Sequence, residues 1–242
     1  MISGAALLAA TAELGEYFAI DALGVGQGEE IAALVTDAVA VRTFVDRTRS
    51  ALAASLHCPV DLVPLRAAAS SFHLNVLARL LSPAVGAAVA LGTVPVLTPA
   101  SVRWWTSAHH TPRFGVTDLE WAPAPTPLRA AESIAGSLLG TVIEPLNHVL
   151  RAALSLSFHV TRGNVISAAN GAVSAMAMSR PDLEPRGREL VRALLSTETL
   201  SRTGRFTGER FVRHSCCLFY RAPGNGLCVD CVLAAPPGSA QS

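Results

Sequence analysis

Apolar residues recur every three to four positions along most of this chain, a period that predicts helix. Leu7, Ala10, Leu14 and Phe18 fall on one face, and Ile31, Leu34, Val35, Ala38, Val41, Phe44 and Val45 mark a longer helix reaching Ser55. Residues 70–81 read as a third helix, ended by Pro83. Ile134, Leu138, Val142 and Leu146 form another stripe. Pro145 has no N–H to donate, so it breaks or kinks that helix before a second one runs to about Leu154. Residues 164–178 are rich in small side chains that allow close packing, and 182–195 predict an amphipathic helix with Pro185 near its first turn.

The middle of the chain follows a different rule. Residues 102–107 and 113–117 are short and β-prone, with 108–112 as the turn of a hairpin. Residues 122–127 hold three prolines and read as a linker or extended loop. Arg205–Phe206 and Phe211–Val212 predict a second small hairpin around 207–209. The expectation is therefore an α+β fold, predominantly α-helical, with a small β-hairpin element and a C-terminal turn that carries the chemistry. It divides into a helical body over 1–200, a C-terminal segment over 201–235 and a disordered tail over 236–242, with no internal repeat.

Composition narrows the chemistry. With 242 residues, half of them hydrophobic and 15% charged, the chain can bury a large core and needs no disulfide staples. The formal net charge of +1 gives no electrostatic case for nucleic acid, and no nucleic-acid partner is expected. All 19 basic residues are arginine, which excludes Schiff-base chemistry and a P-loop lysine. The first basic residue is Arg42, so no secretory signal is read at the amino terminus. The expected compartment is the cytoplasm, where thiols stay reduced. Residues 80–102 are uncharged and long enough to span a bilayer. Pro83, Pro95 and Pro99 instead divide them into a short helix over 83–91 and an extended piece over 94–97, within a buried core. Peripheral contact with the cytoplasmic face of the inner membrane stays open.

The most informative feature lies at the far end. Cys216 and Cys217 are adjacent, ten residues follow, and Cys228 and Cys231 close a C-x-x-C; the one other cysteine is Cys58. Four thiolates suit either one zinc ion or a [2Fe–2S] cluster. Structural zinc sites take two knuckles, whereas here one half is a neighbouring pair. Adjacent side chains on extended backbone point to opposite faces, so placing both on one ion demands a local bend. A two-iron cluster spreads its ligand positions and tolerates the divergence, so spacing favours it over zinc and over free thiols. Pro223, Gly224, Asn225 and Gly226 supply the reversal back to Cys228. An all-cysteine cluster has a low potential, of the order of −400 mV in plant-type examples. Arg202, Arg205, Arg210, Arg213 and Arg221 surround the motif against only Glu209 and Asp230. Arg213 and Arg221 are the candidates for tuning the centre or touching its substrate.

Other suggestive residues have plainer readings. Trp104 and Trp105 could stack on a ligand, but packing is the simpler role. His109–His110 is poorly arranged for one ion and reads as loop. Cys58 beside His57 reads as a buried thiol, His159 as a core histidine and His214 as an exposed or hydrogen-bonded neighbour.

The run Arg213-His-Ser-Cys-Cys-Leu-Phe-Tyr-Arg-Ala-Pro, followed by Gly-Asn-Gly-Leu-Cys-Val-Asp-Cys231, closely resembles the C-terminal signature of the ferric-siderophore reductases, the FhuF-like family. Tyr220, Arg221, Pro223 and Asp230 match along with the cysteines, over about 20 of the 242 residues. Upstream, Arg162-Gly163-Asn164 resembles a Trp-Gly-Asn segment of the family, with arginine in place of the tryptophan. The resemblance implies a [2Fe–2S] cluster on Cys216, Cys217, Cys228 and Cys231. It also implies one-electron reduction of siderophore-bound Fe(III) to Fe(II) for intracellular iron release. No G-x-G-x-x-G follows a strand, so the electron donor is expected to be a separate reductase or small ferredoxin. The rival classes are a zinc-binding interaction module and an electron carrier without siderophore specificity.

Overall fold

The computed structural model describes residues 3–24, 26–107 and 111–234. The expected turn residues 108–110, with His109 and His110, and the expected tail 236–242 lie outside them. The architecture is mixed α+β and predominantly helical.

Helix α4 (Leu65–Leu91) is the backbone of the core and continues through Pro83, where a stop was expected. Proline inside a helix costs about 3 kcal/mol, and burial overrides that local preference here. Most side chains from Ala67 to Val89 are buried, Pro83 among them. This is the one described helix long and apolar enough to cross a membrane by length and composition, yet 67% of its apolar window is buried inside the fold. Helix α7 (Phe158–Ser179) makes the most extensive helix contact with α4 and buries small residues such as Ala169 and Ala172. Helix α8 (Glu184–Leu195) packs against α7 and α5 (Pro127–Ile134).

Several boundaries differ from expectation. Helix α1 (Gly4–Ala12) ends before Leu14, and Phe18 is buried from a separate 3-10 turn (Glu16–Phe18). The long helix expected from Ile31 is two, α2 (Ile31–Thr36) and α3 (Ala38–Ser55). Asp37 lies between them in extended backbone, and its carboxylate accepts from the N–H groups of Val39 and Ala40 at 2.7 and 3.2 Å, a capping arrangement. Around Pro145 the helix widens instead of breaking. Helix α5 (Pro127–Ile134) runs into a π-helical stretch (Ala135–Ile143) and then α6 (Glu144–Leu154). There Glu144 N–H reaches back to Leu139 O, so the ladder has shifted register just before the residue that has no N–H.

The expected hairpin is β4 (Val102–Thr106) with β5 (Pro112–Val116), Trp104 opposite Phe114. It is the centre of a four-stranded sheet: β1 (Asp21–Ala22) adds parallel to β5 and β2 (Glu29–Glu30) antiparallel to β4. Trp104 packs edge-on against Phe44, with ring centres 5.7 Å apart, and so belongs to the core. β3 (Thr93–Pro95) pairs with β6 (Trp121–Pro123), so the proline-rich linker is partly strand. The second hairpin, β7 (Gly204–Thr207) with β8 (Arg210–Arg213), forms as expected and leads directly into the cysteines.

Candidate metal centre

β8 ends at Arg213, and that residue anchors everything after it. Its side chain is only 1% exposed. One guanidinium nitrogen, Nη2, donates to Asn164 Oδ1 on α7 at 2.5 Å, and its backbone N–H donates to Asp230 O at 3.1 Å. Asn164 is itself fully buried, and its amide donates across to Ser70 Oγ on α4 at 2.9 Å, with His73 Nδ1 at 3.4 Å. Burial, reinforced by the charge of Arg213, pulls the His73 pKa down to about 3, so its imidazole is neutral.

Two further contacts tie the segment to α7. Ser167 Oγ donates to Asp230 Oδ2 at 2.5 Å. Gly163 lies so close to the chain that a Cβ there would stand 2.0 Å from Ser215 Oγ and 3.3 Å from Arg213 Nη2. Arg162-Gly163-Asn164 is therefore the strip of α7 against which the cysteine segment rests. Asn164 was not singled out as a partner of Arg213 from the sequence. An isolated amide in a small-residue helix, with Ser70 and His73 three positions apart on an apolar one, was the available signal.

The bend that two adjacent cysteines require is present. Leu218 has a left-handed backbone, φ 67°, and a 3-10 turn (Phe219–Arg221) follows. Cys217 faces inward and is buried, whereas Cys216 is half-buried. Gly224 takes φ 74° in the reversal and Asn225 N–H closes it on Ala222 O. The C-x-x-C forms a turn in which Cys231 N–H bonds to Cys228 O, leaving Cys231 buried and Cys228 half-buried. Cys217 and Cys228 sulfurs are 3.7 Å apart. Backbone N–H groups of Leu218 and Leu233 donate to the sulfurs of Cys216 and Cys231 at 3.2 and 3.4 Å.

The thiols differ in acidity. The hydrogen bond with Cys228 outweighs burial and pulls Cys217 down to about 6, with Arg213 adding to the shift. Cys228 moves up, through that same bond and through burial. Burial also raises Cys216. Among the described residues no three His, Cys, Asp or Glu side chains converge as a single-ion site.

The donor set fits an iron–sulfur group on an independent count. Arg213 has no carboxylate partner among the described ion pairs, and its buried Nε has no hydrogen-bond acceptor. A buried cation without an anion is costly. Thiolates around a [2Fe–2S] group would supply the missing charge, since such a group carries about two negative charges when oxidised. Arg221 differs: it is exposed, with its guanidinium 5.9 Å from the centre of the Tyr220 ring. His214 is exposed and hydrogen-bonded as expected, with Nδ1 bonded to Arg202 O at 2.8 Å. His159 contradicts its expected core role. It is exposed on the first turn of α7, two positions before the first buried residue, Thr161. Cys58 is half-buried against the core.

The class follows from this arrangement: a helical protein with an iron–sulfur segment docked on its surface. Residues 213–233 match the FhuF 2Fe-2S C-terminal domain, which supports an FhuF-like assignment and points to a [2Fe–2S] cluster. No curated protein matches the chain.

Proposed function

We propose that this protein is a cytoplasmic ferric-siderophore reductase in which Cys216, Cys217, Cys228 and Cys231 hold the [2Fe–2S] cluster. The observation that carries the reading is the buried, carboxylate-free guanidinium of Arg213 inside the segment that matches the FhuF domain. The helical body over 1–200, joined by neighbouring residues of the segment over 201–235, binds the chelate, and the cysteines of that segment handle the electron.

When bound, the cluster supplies single electrons at low potential. The rest is done by the chain. Cys217 and Cys231 grip from the buried side, while half-buried Cys216 and Cys228 leave an edge open to an acceptor. The N–H groups of Leu218 and Leu233 and the charge of Arg213 stabilise the more negative, reduced state. Siderophores hold Fe(III) with hard oxygen donors; Fe(II) is larger and more labile, so one electron loosens the chelate. No acid, base or nucleophile is needed. The electron arrives from a separate reductase or small ferredoxin. Leu227, Val229 and Leu233 are exposed around the C-x-x-C, Val229 to 92%, and with Arg221 they suit docking of that donor.

Anaerobic titration tests the reading. Chemically reduced protein is expected to be reoxidised faster by ferric siderophores than by unrelated one-electron acceptors. Equal rates would make it an electron carrier without siderophore specificity.

A further inference from the structure

A groove of about 390 Å³ opens beside the cysteine segment. Its walls are the first turn of α7 (Phe158, His159, Arg162), the turn over 198–203, and His214 with Ser215. Ser215 directly precedes Cys216, so the wall ends one residue, about 3.8 Å of backbone, from the first thiol. A second depression shares Phe158 and His159 and extends the groove to Arg151.

The chemistry of the groove is one-sided. Arg151, Arg162 and Arg202 face Glu198 alone among its lining carboxylates. Among the described residues, Arg162 alone of the three makes an ion pair, with Glu144 at 3.2 Å. Arg151 and Arg162 lie 4.6 and 5.2 Å from the Phe158 ring centre, which holds their planes in place and leaves N–H groups free to donate. Arg202 has a left-handed backbone, φ 63°, braced by the hydrogen bond between His214 Nδ1 and its carbonyl. Donors outnumber acceptors, so a complementary ligand is acceptor-rich and anionic.

We propose that this groove binds the ferric chelate and selects anionic, carboxylate-bearing chelates over neutral or cationic hydroxamate ones. The inference rests on the reductase reading and names its substrate class. In the step itself one electron leaves the reduced centre and converts bound Fe(III) to Fe(II). The centre returns to its oxidised state and no bond to the protein forms or breaks. The separate protein donor then restores the electron.

Redox-inert gallium separates binding from reduction. Calorimetry on the cluster-loaded protein should show Ga(III)–citrate binding about tenfold tighter than Ga(III)–desferrioxamine B, with the preference shrinking as salt rises. Arg202→Asn suits the left-handed backbone and should weaken citrate-chelate binding about threefold, and Arg202→Asn with Arg151→Gln about tenfold, while the visible spectrum of the cluster is retained. Equal affinity for the two gallium chelates, or variants that bind as the parent does, would overturn the groove assignment. Stopped-flow reoxidation by the iron forms isolates the reductase reading. If neither ferric chelate accepts an electron, that reading fails, while charge-selective gallium binding would still uphold the groove.

Discussion

The helical body and the cysteine segment are built on opposite principles. The body buries apolar helices against one another, and α4 tolerates a proline at its centre because packing on nearly every face outweighs one lost hydrogen bond. The segment from Ser215 to Leu233 has one short 3-10 turn and little core of its own. What holds it is mainly polar, Arg213 to Asn164 and Asp230 to Ser167, with the Ser215 side chain packed against Gly163. The lesson is that a loop with almost no hydrophobic anchor can still be positioned if a few buried hydrogen bonds tie it to a rigid helix. The two arginines flanking the cysteines repeat the contrast, Arg213 buried as part of the scaffold and Arg221 exposed at the rim.

Substitutions can break this contrast. The largest effect is expected from Cys228→Ser, which should abolish the cluster while the far-UV circular dichroism of the helical body stays near that of the parent. Collapse of the helical signal would mean that the centre organises the fold. Next comes Arg213→Met, which keeps the bulk but removes the bond to Asn164 and the counter-charge. A loss of about 3 kcal/mol or more is expected in urea unfolding, together with reduced iron content. A variant that retains full iron and stability would remove Arg213 from the account.

His73 gives a pH test of the body. Its folded pKa of about 3 lies below the ordinary 6.5, so the unfolded chain binds the extra proton first. Stability from this group is full above about pH 6.5 and is lost as pH falls toward 3, by a few kcal/mol in all. His73→Gln should flatten urea midpoints measured between pH 6.5 and 4; an unchanged slope would place the acid sensitivity elsewhere. The smallest effect belongs to Arg221→Glu. It should lower the cluster potential slightly, and the difference should vanish at high salt because the side chain is exposed. A large, salt-insensitive shift would put Arg221 against the centre.

Where local signals and packing agreed, the elements were readable in advance. The β-prone runs around Trp104 and Phe114 paired, and Gly208 turned the β7–β8 hairpin where expected. Tertiary context decided the rest. Pro83 looks like a stop because its neighbours along the chain are all that a sequence displays, whereas its burial depends on elements that pack on α4 from elsewhere in the chain. Asp37 carried a recognisable capping side chain, but the apolar period ran across it and masked the break. The four cysteines stood out by spacing, and the match over 213–233 agrees with that prominence. The burial of Arg213 was hidden because charge alone suggests a solvated face, and its acceptor, Asn164, lies 49 positions upstream.

The central claim is that the four clustered cysteines hold two irons whose charge answers the buried Arg213. Protein purified without oxygen should contain about two irons and two sulfides per chain, and one-electron reduction should produce the paramagnetic resonance signal of a spin-half [2Fe–2S] centre. Stoichiometric zinc with no iron, or iron that gives no such signal on reduction, would contradict it.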